Sequence, residues 1–427
     1  MLVALGFAMV GTFILLLMTN RLSALTALIL VPVVFALLAG FGPRIGDMVL
    51  AGVRTVAPTG VMLIFAMLYF LVLTDAGLFD PLARGIVRAV GGDPVKIFLG
   101  TVTLGFLVAL DGDGATVYMI VLSAMLPLYR RLGVSLQMVA ALLLQCTGLG
   151  NMLPWGGPTA RAAVSMKVDM GQVFTPLVVP LLACVVWTYV LAWLFGLAER
   201  KRIGVISLPM DPSRDDAVVG RRSWQMAFNI VLTAALISAL VAQLLPLALL
   251  FMIGAAVALV VNFPRLDAQR ERLAAHAPAI LAVAILIFAA SVFAGILTEG
   301  GMAKAMAEAI VRVIPVWLGP HLAVVTAVIS IPVTWMVSND VFYFGMVPVL
   351  AEAASHYGIT PAEMARASLI GQPVHILSPL VASTYLLTGM LGVDYGRNQR
   401  FTLKWSALTC VVMLAVALIS GIVPWGR

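Results

Sequence analysis

Residues Asp111–Thr116 read DGDGAT, between the apolar runs IFLGTVTLGFLVAL (Ile97–Leu110) and VYMIVLSAMLPL (Val117–Leu128). A helix needs roughly 20 residues to cross a bilayer; these runs are about 12–14 long. Two short apolar helices meeting at a polar, glycine-rich tip describe a re-entrant hairpin. Irregular backbone is tolerated at membrane depth only where it is buried in protein or lines a water-filled cavity. Asp111 and Asp113, with Thr116 beside them, are therefore candidates for proton or cation coupling. The structural alternative is a carboxylate that caps the second hairpin helix.

The rest of the chain supports membrane depth. Of its 427 residues 62% are hydrophobic and 11% charged, which excludes an ordinary soluble domain. The net charge of +7 falls mostly in short loops, so it reports topology and not nucleic-acid binding. Cys146, Cys184 and Cys410 lie in apolar runs without metal-ligand spacing and read as packing residues. The N-terminus lacks a basic leader and a clear cleavage site, so it is read as a first transmembrane helix.

Full spans are expected at 2–19, 22–40, 56–74, 172–198, 223–242, 245–262, 278–298 and 403–424. Two further segments, 135–166 and 361–393, are helices interrupted at Asn151–Thr159 and Gly371–Pro379. Hairpins are expected at 96–128 and at 320–350, the second with Ser338–Asp340 (SND) at its tip. Amphipathic stretches at 77–91 and 300–314 suit the interface plane. Arg200, Lys201, Arg202, Arg214, Arg221 and Arg222 make the 199–222 loop cytoplasmic and place both termini outside.

The two halves repeat. LTDAG (Leu73–Gly77) matches LTEGG (Leu297–Gly301), and IVR at Ile86–Arg88 matches IVR at Ile310–Arg312, both at a shift of 224. LGVS (Leu132–Ser135) matches YGIT (Tyr357–Thr360), and Pro154 matches Pro379, at 225. Residues 1–198 and 223–427 are thus read as two repeats joined by 199–222, each with five spans and one hairpin. An odd number of spans makes the copies inverted. Inverted repeats with discontinuous helices are the signature of secondary transporters. The expected fold is an all-α polytopic membrane protein.

The two tips and the two breaks should then converge. Half-helix N-termini suit carboxylates, and unwound carbonyls suit cations. Asn151, Gly156, Gly157 and Thr159 of the first break are candidate substrate groups, or a Pro/Gly kink whose polar groups satisfy freed backbone. Arg161 either clamps a substrate carboxylate, pairs with a hairpin aspartate, or snorkels to the interface. Ser338, Asn339, His375 and Ser378 are the candidates in the second half, and Asp340 is a coupling candidate like Asp113. An intramembrane aspartyl protease is disfavoured, because GLG is followed by Asn151 and not by aspartate.

DGDGAT, NMLPWGGPTARAA (Asn151–Ala163) and SND, in this order and spacing, resemble the citrate–divalent-metal:proton symporters, the CitMHS family. More distantly the layout resembles the divalent anion/sodium symporters, which carry Ser-Asn-Thr at both tips. The resemblance implies proton-driven transport of citrate complexed with a divalent metal (Mg, Ca or another) across the inner membrane. Asp113 and Asp340 would take protons or touch the metal carried by the substrate. It further implies a homodimer with a scaffold and an elevator-like transport unit, with no permanently bound cofactor. A sodium-coupled di- or tricarboxylate carrier, or another anion or cation exchanger of the superfamily, is the alternative.

Overall fold

In a computed structural model of the chain, residues 1–19, 21–79, 85, 86, 89, 90, 92–110, 112, 114–205, 223–241, 244–313, 315 and 317–426 are described. Among them every regular element is helical. The first half holds α1 (Leu2–Met18), α2 (Ala24–Leu38), α3 (Ile45–Asp75), α4 (Pro94–Ala109), α5 (Gly114–Leu132), α6 (Leu136–Gly150), α7 (Gly157–Ser165) and α8 (Met170–Ile203). The second holds α9 (Ser223–Val241), α10 (Leu247–Asn262), α11 (Leu266–Glu299), α12 (Met302–Val311), α13 (Leu322–Met336) and α14 (Val347–Ser355). It closes with α15 (Pro361–Ser368), α16 (Gln372–His375), α17 (Ala382–Leu391) and α18 (Tyr395–Ile419).

Capping residues set where several helices begin. Asp93 accepts the Val95 N–H at 3.1 Å, with Pro94 at the first helical position of α4. Asp169 accepts the Gly171 N–H at 2.8 Å and starts α8. Thr360 and Glu363 form a reciprocal capping box on α15. The turns also recur between halves. Gly77 and Gly301 have φ of +72° and +71°, and Gly133 and Gly358 have +64° and +76°. These pairs are the glycines of LTDAG/LTEGG and LGVS/YGIT.

Among the described residues five helical stretches are long and apolar enough to cross a membrane: Gly42–Asp75, Met170–Ile203, Leu266–Glu299, Gly319–Met336 and Tyr395–Ile419. Shorter apolar helices include Leu2–Leu17, Ala24–Leu38 and Leu247–Asn262. Three helix starts differ from the sequence expectation, and α8 runs on to Ile203, into the 199–222 stretch expected as a linker. Helices α3 and α11 start at Ile45 and Leu266, not near 56 and 278, and α18 starts at Tyr395, not 403. Hydropathy marks only the apolar part of a helix, and these begin in polar turns carrying Asp47 and Arg54, Asp267 and Arg270, and Arg397 and Arg400. The arms α4 and α5 have 16 and 19 residues, longer than the apolar runs they contain. The amphipathic stretch 77–91 falls largely outside the described residues.

α3 and α11 pack along most of their length, with α10 on α3 and α2 on α11. A second group joins α4, α6, α8 and α18. Polar contacts gather helix ends: Glu199 accepts the Ser135 N–H at 2.9 Å, and Arg200 lies 3.8 Å from Asp93. The basic residues Arg130, Arg131 and Arg200–Arg202 therefore share one end of the helices. Elsewhere Lys167 meets Glu299 at 3.0 Å.

The α3–α11 crossing depends on missing side chains. A Cβ on Gly52 would collide with the Ser291 carbonyl, and one on Gly295 with the Met48 carbonyl. Small residues let membrane helices approach this closely. Gly52→Val is expected to destabilise the fold by about 1–3 kcal/mol through overpacking. Thermal unfolding in detergent would show a lowered midpoint; an unchanged midpoint would mean the crossing can open freely.

Candidate functional site

The first break runs from Asn151 to Gly156, between α6 and α7. Its turn is held by local bonds: Gly156 N–H donates to the Leu153 carbonyl at 2.8 Å, and buried Thr159 Oγ1 to the Met152 carbonyl at 2.9 Å. Thr159 thus satisfies freed backbone, which was the structural alternative for it. Trp155 Nε1 donates to the Leu110 carbonyl at 2.8 Å, while its ring packs on Phe70 and Phe251. This indole ties the break to the end of α4, beside the first tip.

At that tip Asp111 and Asp113 lie outside the described residues. The glycines around them are described. A Cβ on Gly112 would come within 3.1 Å of Trp155 Cδ1. One on Gly114 would lie 2.8 Å from Thr147 Cγ2 and 3.1 Å from Ser383 Oγ. The glycines let the tip reach both interrupted helices. Thr116 sits half-buried in the first turn of α5.

The second break is displaced from its sequence position. A 3-10 turn, Leu369–Gly371, and the single turn of α16 continue the helix to His375, so the gap is 376–381 rather than 371–379. Pro373 stands in the first turn of α16, where proline is tolerated. His375 Nδ1 donates to the Thr334 carbonyl at 2.6 Å, and a carbonyl can only accept, so the ring hydrogen is on Nδ1. Ser378 Oγ, buried, accepts the Leu380 N–H at 3.3 Å. The freed Leu377 carbonyl accepts from Tyr395 and from Gln399 Nε2.

The second tip follows α13. Ser338 Oγ accepts the Val341 N–H at 3.3 Å. Asn339 Oδ1 accepts from Gln372 Nε2 at 3.1 Å, and the same amide donates to Tyr343 at 2.9 Å. Tyr343 is carried by a π-helical turn, Val341–Met346, a feature common at functional sites. Asp340 Oδ1 accepts from Arg161 Nε at 2.6 Å. Of the readings open for Arg161, the pairing with a hairpin aspartate is the one observed. The pair joins the two halves and keeps a small exposure, 17% and 15% of the side chains.

These features meet around a cavity of about 440 Å³. Gly112 and Gly114, Asn339, Asn151, Gly157 and Pro158, and His375, Ile376 and Val381 line it, so both tips and both breaks contribute. Met67 and Leu71 of α3 and Ala279 and Val283 of α11 close the other side. Gly156, Thr159 and Ser378 support the wall without lining it. A larger opening of about 900 Å³ lies between the starts of α8, α10 and α15 and includes none of these groups. Among the described residues no three His, Cys, Asp or Glu side chains group as a metal cage.

Ser383, Gln372 and Tyr343 were missed from the sequence. Gln372 had a signal: a buried amide inside an apolar segment at membrane depth. Ser383 had none, since it follows the break in an ordinary helical turn.

An all-helical membrane protein whose interrupted helices and tips line one cavity, with Asn151, Asn339 and His375 among its few polar groups, is built as a transporter. The chain belongs to the citrate transporter family, which it matches over residues 13–371. A citrate transporter of Bacillus subtilis (strain 168) is 52% identical over 426 residues, covering 100% of both chains. A Mg(2+)/citrate complex secondary transporter of the same organism is 46% identical, covering 99% of each. Among solved structures, the Alcanivorax borkumensis YdaH transporter aligns with a TM-score of 0.58 at 17% identity, over 89% of this chain and 88% of that one. MtrF of Neisseria gonorrhoeae, from a class of antimetabolite efflux pumps, aligns at 0.62 and 16%, over 89% and 84%. These two likenesses establish a shared fold. Family membership makes the protein a transporter and not an enzyme.

Proposed function

We propose that the protein carries citrate, complexed with a divalent metal ion, into the cell with protons. The observation that carries this reading is the cavity bounded by both tips and both breaks, with the Arg161–Asp340 pair behind its wall at Gly157 and Asn339. The family match and the relative named for a Mg(2+)/citrate complex support the cargo. Asn151, Gly157, Ser338, Asn339, His375 and Arg161 bind the complex, with Gly156, Thr159 and Ser378 shaping the wall. Asp111, Asp113 and Thr116 serve the coupling ion; Asp340 serves the cation side of the cargo. The repeated turn glycines support two inverted repeats, 1–198 and 223–427. The α2–α3–α10–α11 group is the scaffold of a homodimer in the inner membrane, and both hairpins and interrupted helices move as an elevator. Both termini face outward.

The test is uptake by purified protein in liposomes under an inward proton gradient, across a series of divalent metals. Accumulation that needs both gradient and metal is expected, unchanged when choline replaces sodium. Asp113→Asn is expected to lose the dependence on the gradient. No gradient-driven citrate uptake with any metal would end this reading.

A further inference from the structure

We propose that the Arg161–Asp340 pair selects the metal–citrate complex over either of its components, by being exchanged for it ion for ion. The proposal rests on the functional reading above and names the groups that give it specificity. The pair uses a single hydrogen bond, from Nε. Among the described residues the two Nη groups of Arg161 and the second oxygen of Asp340 have no partner. A guanidinium offers five N–H donors in a planar fork, so most of this one's capacity is unused. Nη1 lies 2.7 Å from where a Cβ on Gly157 would be, against a glycine that lines the cavity. The pair does not itself line that cavity; it stands directly behind Gly157 and next to Asn339, which do.

The charges decide what can enter. Empty, the pair sums to zero. A divalent ion bound to fully ionised citrate presents a carboxylate and a cation on one molecule. The carboxylate takes the Arg161 fork, and the metal takes Asp340, so both partners of the broken pair are paired again. Free citrate would satisfy Arg161 and leave Asp340 facing surplus negative charge. A free divalent ion would satisfy Asp340 and leave Arg161 facing positive charge. Removing one partner from a desolvated pair is strongly unfavourable, whereas re-pairing both is not.

Equilibrium binding of labelled citrate to the full-length protein in detergent, with magnesium chloride or with chelator, tests this. Magnesium is expected to tighten wild-type binding about tenfold or more, the factor set by 1.4 kcal/mol. Asp340→Asn is expected to bind free citrate more tightly than wild type and to gain less than about threefold from magnesium. Asp340→Glu, which keeps the carboxylate, retains the magnesium effect. Arg161→Lys keeps the charge but loses the fork, so it binds about tenfold more weakly with the magnesium effect intact. If Asp340→Asn keeps the full effect, or if it does not fold and Arg161→Lys abolishes the effect, the assignment of the metal to Asp340 is wrong. Wild-type protein that binds no citrate with any metal would instead remove the functional reading itself.

Discussion

Arg161→Gln is expected to lower metal-dependent citrate uptake about 100-fold, equivalent to roughly 2.7 kcal/mol. Two losses combine. The cargo loses a charged, bidentate carboxylate partner. The free protein also loses the cation that compensates Asp340, whose side chain is only 15% exposed. Truncating one member of a buried pair costs about 3–5 kcal/mol, and the residual exposure here places the penalty toward or below the lower end. The two losses separate in a double-variant cycle. Arg161→Gln alone should lower the thermal unfolding midpoint; adding Asp340→Asn should recover the midpoint, because no unpaired charge remains, without recovering uptake. Uptake by Arg161→Gln within about threefold of wild type would show that the guanidinium is only a structural tie.

The pair also shows where sequence reading ends. Asn151, Pro154 and the glycines of PWGGPT mark a helix break through local chemistry, and the structure opens the helix there. The turn glycines Gly77, Gly133, Gly301 and Gly358 were legible for the same reason, and each has a positive φ. Arg161 and Asp340 stand 179 residues apart in different halves, and no local pattern selects between aspartate, substrate and interface as the arginine's partner. The second break misled because GQPVHILSP holds two prolines. Pro373 sits in a first turn that tolerates it, so Pro379 alone falls in the gap. The starts of α3, α11 and α18 were hidden by charged first turns. Gln372 acts only through the fold, since its partners Asn339 and Tyr343 come from the second hairpin, 33 and 29 residues earlier.

Gly156→Ala is expected to reduce uptake about tenfold or more and to lower the unfolding midpoint, through about 1–3 kcal/mol of overpacking. The backbone at Gly156 has φ −72°, which any residue adopts, so the requirement is spatial and not conformational. A Cβ there would collide with the Asn151 carbonyl and lie 3.0 Å from the Leu153 carbonyl. Both are backbone atoms of the same turn, so no side-chain rotation relieves the clash, and the turn must open. Asn151 and Gly157 line the cavity, and Arg161 follows one helical turn later. Opening the turn therefore moves the guanidinium relative to Asp340, which is anchored on the other half. Gly389→Ala in α17 is the matched control: a Cβ there meets nothing within 4 Å. Alanine is favoured over glycine in a helix by up to about 1 kcal/mol, so that variant should transport normally with an equal or higher midpoint. If the two alanines behaved alike in uptake and unfolding, the tight 151–156 turn would not be what sets the distance between the halves' charged groups.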